Sequence, residues 1–266
     1  MQSSSIETVR KVPTWRRVAA SSWGMSDDPA IYGWIDVDAT NLLADVEALR
    51  EDSGVKVTVT HLVGKAIATA FAEHPESNAL ISLGRIRRRP SVDVFFSVAV
   101  GDGKNLSGAK ITRADERSVI EIAQRLRGDA ERIRTKGDTP LQRSQKLLRH
   151  MPSALLKPMM RLTAVAMFDL DLDLSRAGVP FDPFGTVIVT NVGVLGIEQG
   201  FAPLMPQGRT PALFTVGKIR DKVVAVDGRP EVRPVLTLGG TFDHRVVDGY
   251  HLGKISERIR ELLEGT

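Results

Sequence analysis

Segments with helical and with strand periodicity alternate along almost the whole of this chain, and that alternation limits the fold more than any single motif. Ile31 to Val37 alternates apolar and polar residues, the period of a half-buried strand. Thr40 then opens a helical stretch carrying Leu42, Leu43, Val46 and Leu49. A threonine suits its N-cap, and Gly54 suits its end. A second helix follows Thr60, with Leu62, Val63, Ala66, Ile67, Ala70 and Phe71 on its apolar side and Pro75 as its stop. Asp93 to Val100 is rich in β-branched and aromatic residues and reads as a strand. Asp115 is placed to cap a long amphipathic helix with Val119, Ile122, Leu126 and Ile133, ending near Gly137. Gly185 to Asn191 and Ala212 to Ile219 are further strands, while Lys222 to Val226 and Val232 to Leu238 flank Asp227-Gly228 as a hairpin. No internal repeat and no linker-like composition divides the chain. Such interleaving predicts one α/β sandwich, a mixed sheet with helices packed on it.

Composition narrows the function classes. A chain of 266 residues that is 42% hydrophobic and 26% charged has the make-up of an ordinary globular protein and length enough for a large core. The net charge of +4 is too small to argue for nucleic acid. The basic run Arg85-Ile86-Arg87-Arg88-Arg89 reads as a solvated face or strand edge, the alternative being a site for a phosphate-bearing ligand such as the nucleotide end of coenzyme A. With no cysteine, disulfides, thiol nucleophiles and thiolate metal sites are excluded. His61, His74, His150, His244 and His251 show no metal-ligand spacing, so no metal is expected, and His61 and His74 read as structural. The start of the chain lacks the basic-then-apolar plan of a signal peptide, and no apolar run is long enough to span a bilayer, which predicts a cytoplasmic protein. Residues 1–12 are polar and read as a flexible N-terminal arm, ahead of a single domain over 13–266.

Near the C-terminus stands Thr241-Phe242-Asp243-His244-Arg245-Val246-Val247-Asp248-Gly249. It follows an apolar strand and precedes a segment with Leu252, Ile255, Ile259, Leu262 and Leu263 at helical spacing. His244 therefore falls at a strand-to-helix junction, with Gly249 available for a tight turn. An unperturbed histidine pKa of ~6.5 suits a general base. Asp243, Arg245 and Asp248 are close enough in sequence to orient it, and Asp248 also suits a helix N-cap.

The string Asp-His-Arg-Val-Val-Asp-Gly resembles the active-site signature of dihydrolipoamide acyltransferases, the catalytic domains of 2-oxoacid dehydrogenase complexes; chloramphenicol acetyltransferases carry a looser form. Further segments are similar to that family in the same order: Ile35 to Thr40, Val57 to Ala66, His74-Pro75-Glu76-Ser77-Asn78, Thr190-Asn191-Val192-Gly193, and Ala212 to Ile219. The resemblance covers roughly residues 10–137 and 184–264. It implies a chloramphenicol-acetyltransferase-like fold and a coenzyme A-dependent acyltransferase, with acyl-CoA and an acceptor thiol as substrates. It also implies that His244 is the base, that Thr190 supplies a hydroxyl to the oxyanion, and that Asp248 is an orienter paired with Arg16. In the family, the histidine of one chain and the hydroxyl of the next meet across a boundary within a trimer, so a homotrimer or a multiple of three is implied.

Three departures keep alternatives open. No lipoyl or subunit-binding domain precedes the catalytic part, so a stand-alone form without a covalent lipoyl group is expected. The family's channel-lining Asp-Gly-Leu-x-x-Pro-Val region is replaced by Asp102 to Lys110, which admits an amine or hydroxyl acceptor, or a non-catalytic trimeric scaffold. Residues 138–183 form an insertion in which Leu147, Leu148, Met151, Leu155, Leu156 and Met159 recur near helical spacing, and Pro152 and Pro158 are expected to break it into short pieces. Arg143, Lys146, Arg149, Lys157 and Arg161 make its other side basic. It reads as a helical flap packed on this domain or a neighbouring subunit, with an acyl-group lid and an interfacial membrane segment as alternatives.

Overall fold

A computed structural model describes residues 7–8, 29–100, 105–136 and 153–265. Ten strands are present among them: β1 (Glu7–Thr8), β2 (Ala30–Asp38), β3 (Ala79–Ser82), β4 (Arg85–Arg88), β5 (Val94–Val100), β6 (Asn105–Ile111), β7 (Val187–Asn191), β8 (Ala212–Val216), β9 (Arg220–Val226) and β10 (Arg229–Asp243). The α-helices are α1 (Thr40–Ser53), α2 (Val59–Glu73), α3 (Val119–Lys136), α4 (Ser153–Ala164) and α5 (Gly249–Glu264).

The main sheet runs β2-β10-β8-β7-β5-β6, with β9 paired to the first half of β10. β7 is parallel to β8 and β5, whereas β10 is antiparallel to β2 and β8, so the sheet is mixed as the interleaved sequence predicts. Alternation along the strands sends Val37, Phe96, Val189, Phe214 and Phe242 to one face, where they join Ile67 and Phe71 of α2 and Ile255 and Ile259 of α5 in the principal core. Burying each such side chain contributes roughly 1.5–3 kcal/mol. The opposite face carries Phe95, Ile188 and Leu213 under Phe184, Ala202 and Leu204, which come from loops. β10 is the longest strand, and it delivers the motif: Thr241, Phe242 and Asp243 are its last residues.

Several elements differ from their sequence-based expectation. Asp115 lies in a one-turn 3-10 helix (Ala114–Glu116), and α3 starts only at Val119. Ser118 opens α3 instead, because its N–H and hydroxyl both donate to Glu121 Oε2 at 2.8 and 3.0 Å. Pro158 does not end a helix but sits inside α4, which continues as a π-turn over Val165–Asp169. Packing of Ala164, Met167 and Phe168 against Leu80 outweighs the one backbone bond the proline removes. Gly249 is no turn glycine: its φ is not positive, and it is the first residue of α5. Within the arm read as flexible, Glu7 and Thr8 pair with Arg88 and Arg87 of β4. Most of the altered segment Asp102 to Lys110 is the edge strand β6, aligned along β5.

Candidate active site

The turn that carries His244 is fixed on every side by backbone bonds. At the end of β10 the Asp243 N–H donates to Pro211 O at 2.9 Å, and the His244 N–H donates to Pro29 O at 2.9 Å. The N–H groups of Val246 and Val247 return to Asp243 O at 2.9 and 2.8 Å. Val246 and Val247 are buried in the principal core and anchor the turn from below. Asp243 then closes it: Oδ1 accepts from the Arg245 N–H (3.0 Å) and Nε (2.9 Å), and Oδ2 from Nη2 (2.7 Å). A fork of this kind fixes geometry more tightly than a single ionic contact. His244 stands half-buried between the two partners.

Asp248 is the N-cap of α5, with Oδ1 accepting the His251 N–H at 3.1 Å. The same oxygen lies 2.5 Å from His251 Nδ1. Beyond it Glu76 Oε1 lies 3.9 Å from His251 Nε2 and 3.5 Å from His74 Nδ1. Imidazoles and carboxylates thus alternate from the His-Pro-Glu turn to the helix that closes the motif. Sequence reasoning missed His251; the Asp248-x-x-His251 spacing, which places both in one helical turn, was the available signal. Arg16, read as the partner of Asp248, lies outside the described residues.

Thr190 lies near the end of β7, in register with Ser97 of β5 and Thr215 of β8. Thr215 is in turn opposite Gly239 of β10, so hydroxyls stand side by side across three strands on the face away from the helices. The Thr215 hydroxyl donates to Gly200 O at 2.5 Å. The half-buried Thr190 hydroxyl makes no hydrogen bond among the described residues. The segment after it is shaped by close backbone approach. A Cβ at Gly193 would lie 2.5 Å from Gly217 O, and one at Gly217 would lie 1.9 Å from Glu198 O. Asn191 fixes the start of this segment, donating from Nδ2 to Thr60 Oγ1 at 2.8 Å and accepting the Val194 N–H at 3.2 Å.

His244 and Thr190 do not meet within one chain. Thr190 is level with Gly239, five residues short of His244 and two strands away. At ~3.4 Å per residue and ~4.8 Å per strand, this places them about 20 Å apart. Among the described residues no cluster of three His, Asp or Glu side chains is arranged to hold a metal ion. His61 is structural: its Nδ1 accepts the Thr58 N–H at 3.1 Å in a capping box, and burial lowers its pKa to about 4.

The family model described as 2-oxoacid dehydrogenases acyltransferase (catalytic domain) matches residues 4–144 and 184–266. The lipoamide acyltransferase component of the branched-chain alpha-keto acid dehydrogenase complex of Bacillus subtilis is 25% identical over 94% of this chain and 50% of its own length. The dihydrolipoyllysine-residue acetyltransferase component of the acetoin cleaving system of the same organism is 27% identical over 80% of this chain and 43% of its own. The chain spans about half the length of the curated relatives it matches. Among solved structures, a probable dihydrolipoamide acetyltransferase from Listeria monocytogenes superposes with a TM-score of 0.68 at 20% identity, covering 97% of this chain and 95% of that one. The dihydrolipoamide acetyltransferase of Azotobacter vinelandii, in a structure devoted to the catalytic roles of one serine, one histidine and one asparagine, superposes with a TM-score of 0.66 at 22% identity, covering 96% and 91%. The fold is that of these catalytic cores.

Proposed function

The chain belongs to the 2-oxoacid dehydrogenase acyltransferase family, and we propose that it transfers an acyl group between coenzyme A and an acceptor thiol, with His244 as general base. The observation that carries this reading is the turn at the end of β10. His244 is presented at a strand end, held through its own N–H and bracketed by the Asp243–Arg245 pair.

A free thiol has a pKa of ~8.5 and is mostly protonated at neutral pH, so the acceptor needs a base. His244 takes the thiol proton as the sulfur attacks the thioester carbonyl. The carbonyl oxygen becomes an oxyanion, which the Thr190 hydroxyl, otherwise uncommitted, is suited to receive as a hydrogen-bond donor. Collapse re-forms the carbonyl and expels the coenzyme A thiolate, which recovers the proton from the His244 imidazolium. No enzyme-bound acyl intermediate is required. Asp248 positions the first turn of α5 behind His244. A hydroxyl, an imidazole and a side-chain carbonyl are also the groups named in the catalytic mechanism of the Azotobacter vinelandii enzyme.

The wide separation of Thr190 and His244 in one chain supports a site completed by a second copy. The helix-free side offers a surface for it: Tyr32 and Trp34 on β2 are 52% and 63% exposed, and Phe201 stands edge-on to Tyr32 with 5.6 Å between ring centres. Apolar exposure of this kind marks an interaction face. The proposed assembly, by the family resemblance, is a homotrimer or a multiple of three. The decisive experiment follows consumption of acetyl-CoA and longer acyl-CoA thioesters with dihydrolipoamide as acceptor. Turnover that falls by two or more orders of magnitude in His244→Ala supports the proposal. Turnover equal to wild type in that variant overturns it.

A further inference from the structure

The insertion is tied to the body of the domain by three arginines. Arg87 donates from Nη1 to Phe168 O at 2.9 Å and from Nη2 to Asp171 Oδ2 at 2.6 Å. Arg89 grips Asp182 at 2.7 and 3.2 Å. Arg209 grips Asp169 at 2.6 and 2.7 Å, donates to Ile81 O at 2.9 Å, and stacks over the Phe168 ring at 5.3 Å. Burial alone would raise the pKa of Asp169, but the hydrogen bonds and charge of Arg209 outweigh it and hold the carboxyl below its ordinary value. The run Arg85 to Arg89 is therefore neither a solvated face nor a free phosphate cradle at these two positions: Arg87 and Arg89 are buried and committed to carboxylates of the insertion.

Held in this way, the insertion roofs a cavity of about 520 Å3. Arg161, Ala164 and Val165 form the roof, and Ile81 and Leu83 of the β3–β4 hairpin form one wall. Leu204 and Met205 form the other wall, and Pro29, Asp243 and Arg245 the floor. The volume falls in the range of ~300–1,000 Å3 usual for small-molecule sites. His244 is not part of the lining, although both of its neighbours are. The cavity thus adjoins the turn that presents the histidine. The family model leaves out residues 145–183, so the roof is an addition of this chain to the family's plan.

The lining charges specify the ligand. Among the described residues three cations face the cavity, but Arg209 is matched by Asp169 and Arg245 by Asp243. Arg161, exposed at the rim, has no hydrogen-bond or ion-pair partner among the described residues. One uncompensated cation above apolar walls suits one negative charge on an apolar body. Among the described lining residues a nucleotide polyphosphate would find a single free guanidinium and two carboxylates. We propose that this cavity binds a small amphiphilic monocarboxylate, its carboxylate on Arg161 and its apolar part between Val165, Ile81 and Leu204. Through Asp243 and Arg245 the bound molecule would bear directly on the turn that carries His244.

Calorimetric titration of octanoate into the full chain tests the site without reference to acyl transfer. Saturable binding is expected, weakened at least tenfold in Arg161→Ala, in Gln207→Trp, which fills the cavity from the loop before β8, and with 1-octanol in place of octanoate. His244→Ala should bind octanoate as wild type does, so that a failure of the catalytic reading is separable from a failure of this one. Absence of binding to the wild-type chain overturns the proposal. So does equal affinity of octanoate for Arg161→Ala, a surface substitution that leaves every buried pair intact. Should Gln207→Trp misfold, as seen by circular dichroism, Arg161→Glu takes its place and must abolish binding.

Discussion

His251 bonds Asp248 twice through one oxygen: its backbone N–H reaches Oδ1 at 3.1 Å, and its ring Nδ1 lies 2.5 Å from the same atom. The first bond is an ordinary N-cap. The second uses a side chain to hold the cap carboxylate in one rotamer, and that carboxylate ends the stretch which begins at Asp243. Glu76 on the far side of the ring, near His74, gives the imidazole a second acidic neighbour. His251 thus holds the carboxylate that caps α5, four residues after His244.

From this arrangement His251→Ala is expected to lower kcat roughly three- to tenfold while leaving KM for acyl-CoA within twofold, because the backbone cap survives while the ring's hold on Asp248 is lost. His251→Asn, whose amide can donate to Asp248, should recover at least half of the lost kcat. Steady-state kinetics of the three chains check this. A merely structural role would move thermal stability and leave kcat alone.

The distance of about 20 Å between Thr190 and His244 within one chain makes a second prediction. Thr190→Ala and His244→Ala should each be strongly impaired, yet mixing the two under subunit exchange should restore measurable turnover, because some interfaces then receive an intact residue from each copy. The test is the activity of the mixture against each parent at the same total concentration, alongside light scattering for the oligomer. A fully active monomer would sink the shared-site reading.

What could be read from the sequence followed from local period and chemistry. The strand before Thr40, the helices that follow, and the hairpin at Asp227-Gly228 are present, and both hairpin residues adopt positive φ, at 49° and 76°. The strand-to-helix placement of His244 also holds. What was hidden depends on partners far along the chain. Arg89 looks like part of a charged run because its carboxylate, Asp182, is 93 residues away, and Arg87 finds Asp171 at a separation of 84. The β3–β4 hairpin was missed for the same reason, since in β4 a buried Arg87 stands directly beside a buried Ile86 and breaks the two-residue hydrophobic alternation. The turn at Gly249 was misjudged because the Asp243–Arg245 fork, not a glycine, shapes the backbone there.

The buried arginine has a measurable consequence. The Arg89 side chain is only 2% exposed, and that of Asp182 is 10% exposed. Removing one partner leaves the other charge buried without compensation, which typically costs about 3–5 kcal/mol. Arg89→Ala should therefore lower the urea midpoint substantially. Arg89→Met with Asp182→Asn, which removes both charges and tolerates the positive φ of 41° at that position, should recover most of the loss. If the double substitution proves no better than the single one, buried charge is not the cause.

The last prediction concerns acid stability and His61. In the folded chain its pKa is lowered to about 4 by burial, against an ordinary value of 6.5. The unfolded chain thus binds the proton more readily between these values. By linkage, stability rises with pH across that window: the contribution is fully present above about 6.5 and is lost progressively as pH falls toward 4. The whole swing is about 3 kcal/mol. His61→Gln removes the titration and keeps a side-chain acceptor for the Thr58 N–H, since glutamine at this position also completes a capping box with the threonine. Thermal unfolding of both chains at a series of pH values between 4 and 7.5 should show wild type losing stability on acidification more steeply than the variant, with the curves parallel above pH 7. Parallel curves throughout would mean that another group, and not His61, governs the acid limb.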